Sequence, residues 1–222
     1  MESSWIAYRS GTDANNGPVT RDDAVEQAVE ADGRPQTAAR RLTARRYADW
    51  NHVNFRCTKK AQQRLRLTPS ALAPVPAEVF ATDWHCNVVT LGKRPFFLFA
   101  HSMSLYAFFV AVAGNSNREA FGRAFREHLA QALVREGLTA SAGRKLMDDG
   151  PDSLCKATDR RVVGTMVDHA HMSYFAVEDF GRVDEYVLAK IHENINESPM
   201  SILGMDSPRR VIQTLLLSGG AA

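Results

Sequence analysis

The chain has few cysteines, and their spacing excludes the common cysteine-based sites. Of its 222 residues only three are cysteines, Cys57, Cys86 and Cys155, and no two of them form a CxxC pair. This spacing excludes a zinc knuckle and argues against a disulfide framework. We therefore expect reduced, buried thiols, as is usual in a cytoplasmic protein.

The chain also lacks a strong net charge and the short motifs of well-known enzymes. Its formal charge is +2, and its 45% hydrophobic and 23% charged residues are ordinary for a globular domain. No GxGxxG, P-loop, GxSxG or HExxH motif occurs, and no basic-then-apolar signal pattern opens the sequence. We therefore expect no cofactor, no metal site and a cytoplasmic location. Whether the chain is an enzyme stays open.

One long run without formal charge, residues 95–113, raises the question of a membrane span. It is about long enough to cross a bilayer as a helix. Polar residues, among them His101 and Ser102, interrupt its middle, and its apolar residues are mostly aromatic or β-branched. Two buried strands at about 96–100 and 105–112 account for both features better than a helix does. We therefore predict core strands and no membrane contact.

The order of strand and helix patterns predicts an α+β fold, with a small antiparallel sheet packed against about five helices. The predicted strands are residues 53–57, 86–91, 96–100, 105–112 and 154–157. The predicted helices include residues 58–67, 139–148, 159–178 and 183–195. Residues 1–51 are poor in large aliphatic side chains and predict a flexible basic extension. Residues 52–222 then form a single α+β domain.

A polar cluster lies where a predicted strand meets a predicted helix, in the segment Cys155–Tyr174. The residues around the expected helix start are Thr158, Arg160, Arg161 and Thr165. Helix N-termini attract anions, so these residues predict an anion- or ligand-binding site. One turn further, Asp168 is spaced to orient His171 as a general base. A solvated polar face with structural ion pairs explains the same pattern.

The stretch from Arg40 to Arg66 holds nine basic residues and one acidic residue, with Trp50 and Phe55 between them. Local basic density with aromatic residues is typical of phosphate contact combined with base stacking. The residues that we expect to contact a polyanion are Arg40, Arg41, Arg45, Arg46, Lys59, Lys60 and Arg64. A basic tail followed by a solvated helix face accounts for the run without any ligand.

Four phrases of the sequence are distinctive when they are taken together. They are Arg56-Cys57-Thr58-Lys59-Lys60, Asp83-Trp84 with Asn87, the segment Lys156–Asp168, and Asn196 with Pro199-Met200. In this combination they resemble a bacterial family catalogued as a domain of unknown function, number 6933, over about residues 53–217. The resemblance implies a small cytoplasmic protein and implies no activity, cofactor or residue role.

These observations favour a binding protein for nucleic acid or another polyanion. The first alternative is a small hydrolase or phosphoryl-group enzyme that uses Arg161, Asp168 and His171. The second alternative is a protein-interaction module.

Overall fold

A computed structural model describes residues 53–112, 117–138 and 152–218 of the chain. The predicted extension 1–51 and the predicted helix 139–148 lie outside these residues. The strands are β1 Asn54–Cys57, β2 Asp83–Leu91, β3 Arg94–His101, β4 Ala107–Ala111 and β5 Ser153–Lys156. The α-helices are α1 Lys59–Arg64, α2 Arg118–Arg135, α3 Arg160–Phe180, α4 Glu185–Glu197 and α5 Pro208–Ser218. The predicted α+β fold is confirmed for the described part of the chain.

The five strands form one sheet in the order β4-β3-β2-β1-β5. Strands β2, β3 and β4, which correspond to the predicted strands 86–91, 96–100 and 105–112, pair in antiparallel order as a meander. Strand β1, however, pairs in parallel with both β2 and β5, so the sheet is mixed rather than antiparallel. Parallel neighbours require crossover connections, and the pattern of a single strand does not indicate the direction of its partner.

Helix α2 covers one face of the sheet with an aromatic core. The Asn117 side chain accepts a hydrogen bond from Ala120 N (2.8 Å) and caps the helix start. Phe121 and Phe125, one turn apart, then meet the Phe55 ring of β1 at centroid distances of 4.9 and 4.8 Å. These edge-to-face contacts fix α2 against the middle of the sheet.

The polar residues inside the long apolar run are used at the turn between β3 and β4. His101 Nε2 lies 2.8 Å from Ala81 O, and His101 Nδ1 lies 2.8 Å from Ser104 Oγ. A carbonyl oxygen only accepts, so Nε2 carries the ring proton and Nδ1 is the acceptor. In the described ranges no helix is long and apolar enough to cross a membrane.

Helix α4 covers the backbone edge of the outer strand β4. Asn196, which is fully buried, accepts from Ala107 N (2.8 Å) and donates to Ala107 O (2.7 Å). One turn earlier, His192 Nε2 accepts from Phe109 N (2.9 Å). Both side chains take the place of a neighbouring strand, and a covered edge no longer offers free backbone groups to another chain.

A buried ion pair lies on the sheet face opposite α2. Arg56 Nε and Nη2 donate to Asp83 Oδ2 at 3.0 and 2.6 Å, and Asn54 donates to Asp83 Oδ1 at 2.9 Å. Arg56 is 3% exposed, so it does not share a surface with the other basic residues of the Arg40–Arg66 run. The three cysteines are buried and free, as predicted.

Three further buried groups are histidines, His85, His101 and His169, each at most 1% exposed. Burial lowers the pKa of each from 6.5 to about 4, and the Arg56 guanidinium contributes at His85. We call these residues the buried histidines. They are neutral in the folded protein near pH 7.

Candidate functional site

Two turns that carry the predicted site residues lie side by side where strands β1 and β5 end, at the edge of the sheet formed by their carboxyl ends. Strands β1 and β5 are parallel, and their pairing ends with Cys57 opposite Lys156. Ala157 N then donates to Cys57 O at 3.0 Å. The first turns of α1 and α3 follow directly, so residues about 100 positions apart in sequence begin their helices at the same edge.

The basic residues of these turns form a surface that we call the cationic edge. Its members are Lys59, Lys60, Lys156, Arg160 and Arg161, all exposed. Among these five, only Arg161 forms an ion pair with a described residue, to Asp159 at 3.7 Å. The structure therefore joins Lys59 and Lys60 of the basic run with two arginines of the polar junction. Arg40, Arg41, Arg45 and Arg46 lie outside the described residues.

The start of α3 is capped by the protein itself. Asp159 Oδ1 accepts hydrogen bonds from Arg161 N (2.9 Å) and Val162 N (3.4 Å). This cap uses N–H groups that an anion would otherwise contact, so attraction of an anion here depends on the arginine side chains. Thr165 Oγ1 donates to Arg161 O at 3.2 Å within the helix, and Thr158 is exposed.

The proposed acid–base pair is exposed on α3. Asp168 and His171 are both on the surface, and no hydrogen bond joins them among the described contacts. His171 lines a groove, described next, and Asp168 does not. Their catalytic role stays a prediction. Nowhere in the described residues do three His, Cys, Asp or Glu side chains group in a way that could hold a metal ion.

A groove of about 900 Å³ runs between α1 and α3 over the second half of β2. Its lining residues are Lys60, Gln63, Arg64, Asn87, Val88, Val89, Thr90, Val167, Ala170, His171, Tyr174 and Phe175. We call it the α1–α3 groove. It joins two signals that are separate in sequence, because Lys60 and Arg64 belong to the basic run and His171 to the polar junction. No acidic side chain is among the described residues that line it.

The groove exists because β2 is longer than its neighbour. Pairing of β1 with β2 ends at Cys57 and Cys86, whereas β2 continues to Leu91. Beyond Cys86 the strand keeps β3 on one side only, and α1 and α3 stand on either side of the remaining space. At the start of this stretch Thr58 Oγ1 donates to Asn87 Oδ1 at 2.7 Å, and Asn87 Nδ2 has no partner among the described residues.

Two aromatic rings stand on the α3 wall of the groove. Tyr174 is 50% exposed and Phe175 is 62% exposed, with their ring centroids 6.0 Å apart. A hydrogen bond from the Tyr174 hydroxyl to Glu178 raises the pKa of Tyr174. The helical spacing of Val163, Met166, Val167, Ala170 and Tyr174 predicts that Tyr174 lies on the buried stripe of α3, and this prediction is wrong, because the buried stripe passes through Ser173 instead. Consecutive helix residues point about 100° apart, so with Ser173 and Val177 buried the two residues that follow Ser173 turn away from the core.

Comparison with known proteins gives a family and no activity. A family model described as Domain of unknown function (DUF6933) matches residues 54–211, which is more than half of the chain. No curated protein matches the chain.

Proposed function

The chain belongs to the DUF6933 family, which assigns no activity, and from the site alone we propose that it is a nucleic-acid-binding protein. Its ligand contacts the cationic edge through phosphate groups. The observation that carries the proposal is the convergence of five exposed cations from two distant segments, with one weak ion pair among them.

The spread of positive charge over the cationic edge favours a polyanion over a small anion as the ligand. The cationic edge spans the first turns of two helices and the end of β5, so its charges are spread over a surface instead of surrounding one point. Asp159 already caps the start of α3, which leaves side chains rather than a backbone cradle for the ligand. A chain of phosphates matches such spread positive charge, and each neutralised phosphate releases a counterion.

Salt dependence tests the proposal. We would measure binding of a fluorescein-labelled 20-nucleotide oligo(dT) between low and physiological salt. The test variant replaces four cations with glutamine: Lys59→Gln, Lys156→Gln, Arg160→Gln and Arg161→Gln. Each lost phosphate contact is expected to reduce the log–log slope by about 0.7 on a single strand.

A matched control removes the same charge elsewhere. It carries four substitutions of exposed cations outside this edge: Arg123→Gln, Arg182→Gln, Lys190→Gln and Arg210→Gln. We expect its slope to stay close to that of the unmodified protein. Equal slopes for both variants would reject the cationic edge, and no binding by the unmodified protein at low salt would reject the function.

The four arginines of the preceding segment have their own test. Sequence analysis predicts that Arg40, Arg41, Arg45 and Arg46 also contact phosphates without sequence preference. Replacing them with glutamine should lower the slope further in the background of the first variant. An unchanged slope would limit the interface to the described cations.

A further inference from the structure

We propose that the α1–α3 groove holds unpaired bases of a single strand, so that the protein prefers single-stranded to duplex nucleic acid. This inference rests on the proposed function and names the form of the ligand. The groove and the cationic edge share Lys60, so one strand can contact both surfaces.

The exposed rings favour an aromatic ligand. Tyr174 and Phe175 keep half or more of their surface open to solvent on the wall of the groove. Stacking on such rings is sequence-tolerant because every base has a π-face. In a duplex the bases stack on one another and pair across the helix, so the rings engage a base only where the strand is unpaired.

The opposite wall and the floor fit the rest of a nucleotide. Lys60 and Arg64 stand on the α1 wall, and no acidic residue is among the described lining residues to repel a phosphate. Asn87 on the floor has its Oδ1 occupied by Thr58, and its Nδ2, which meets no acceptor in the described part of the chain, is placed to donate to a base edge. The groove, at about 900 Å³, lies within the size range of sites that enclose small organic ligands.

The same features argue for a strand of nucleic acid rather than an apolar peptide. A hydrophobic peptide would gain from the valines of the floor but would leave Lys60 and the His171 ring unmatched. A nucleotide fits this lining better, since its phosphate pairs with Lys60 and its base lies against the His171, Tyr174 and Phe175 rings. The cationic edge adjoins the groove at Lys60, so further positive charges lie along the path that a strand of nucleic acid would follow out of the groove.

The experiment compares two ligands on the same variants at fixed low salt. The ligands are the labelled oligo(dT) and a labelled hairpin duplex with the same number of phosphates. Tyr174→Ala should weaken oligo(dT) binding about tenfold, the size of one lost base stack, and should change duplex binding less than twofold. Tyr174→Phe keeps the ring and should bind as the unmodified protein does.

Two controls separate stacking from folding and from general surface effects. Tyr186→Ala removes a comparably exposed tyrosine of α4 that does not line the groove, and it should bind both ligands normally. Tyr174→Leu keeps apolar bulk without a ring. Its melting temperature should equal that of the unmodified protein, and its affinity for oligo(dT) should still be lower.

The other possible results would reject either the groove proposal alone or both proposals. If Tyr174→Ala weakens both ligands equally or neither, the groove does not hold bases, although salt-dependent binding would leave the proposed function standing. If dTMP competes as well as oligo(dT) does, the occupant is a free nucleotide and the strand is rejected. If the unmodified protein binds neither oligonucleotide, both proposals fall.

Discussion

The edge of β4 provides a sharp test of the fold. Asn196→Ala removes the side chain that pairs with both backbone groups of Ala107, at 2.8 and 2.7 Å. Asn196 and Ala107 are both 0% exposed, so water does not replace the lost partners without opening the structure. An unpaired buried donor or acceptor costs about 1–3 kcal/mol. With two groups orphaned, we expect the free energy of unfolding to fall by about 2–6 kcal/mol.

The matched control lies two residues earlier in the same helix. Asn194 is exposed, and Asn194→Ala makes the same change in helix propensity without touching β4. It should alter stability by no more than about 0.5 kcal/mol. Urea unfolding followed by circular dichroism measures both variants. Hydrogen exchange at the Ala107 amide reports local opening of the β4 edge. It should become faster in Asn196→Ala and stay unchanged in Asn194→Ala.

One pattern of results would refute this reasoning. If Asn196→Ala lost less than about 1 kcal/mol, or no more than Asn194→Ala, the two hydrogen bonds would not hold the edge. The same conclusion would follow if exchange at Ala107 stayed slow in the variant. Helix α4 would then cover β4 by apolar packing alone, through residues such as Ile191 and Ile195.

Three further predictions concern the buried polar groups and the N-terminal segment. Asp83→Ala leaves Arg56 buried without its carboxylate, and urea unfolding should show a loss of about 3–5 kcal/mol. The buried histidines have a folded pKa of about 4, below the unfolded 6.5. Between these two values the unfolded chain binds more protons, so stability falls as the pH is lowered. Urea unfolding should show a loss of about 2 kcal/mol per histidine on going from pH 7 to pH 5, and a pH-independent stability would contradict this prediction. Removal of residues 1–51 should shift the melting temperature by only a few degrees, because they carry few large apolar groups to offset their ordering cost.

Strands, helix caps and helix starts that depend only on residues close in sequence could be predicted from the sequence alone. The apolar runs that became β2 and β3, the Asp159 cap of α3 and the start of α5 at Pro208 follow from periodicity, capping and proline geometry. The same local rules located the basic and polar segments that contain Lys60 and His171. Such features form wherever the segment lies, since the interacting groups are a few residues apart.

Contacts between distant segments were decided only by the tertiary structure. Nothing near Arg56 indicates that Asp83, 27 positions later, buries its charge, and nothing near Asn196 indicates that Ala107, 89 positions earlier, uses its amide. The parallel direction of β1 and the groove beyond its end also depend on which strands meet. The sequence by itself determined the approximate positions of the described strands and of the helices predicted at 58–67, 159–178 and 183–195, and where the chemistry-bearing side chains lie along the chain. Their assembly into one cationic edge and one aromatic groove required the fold, because partners separated by tens of residues leave no local pattern to read.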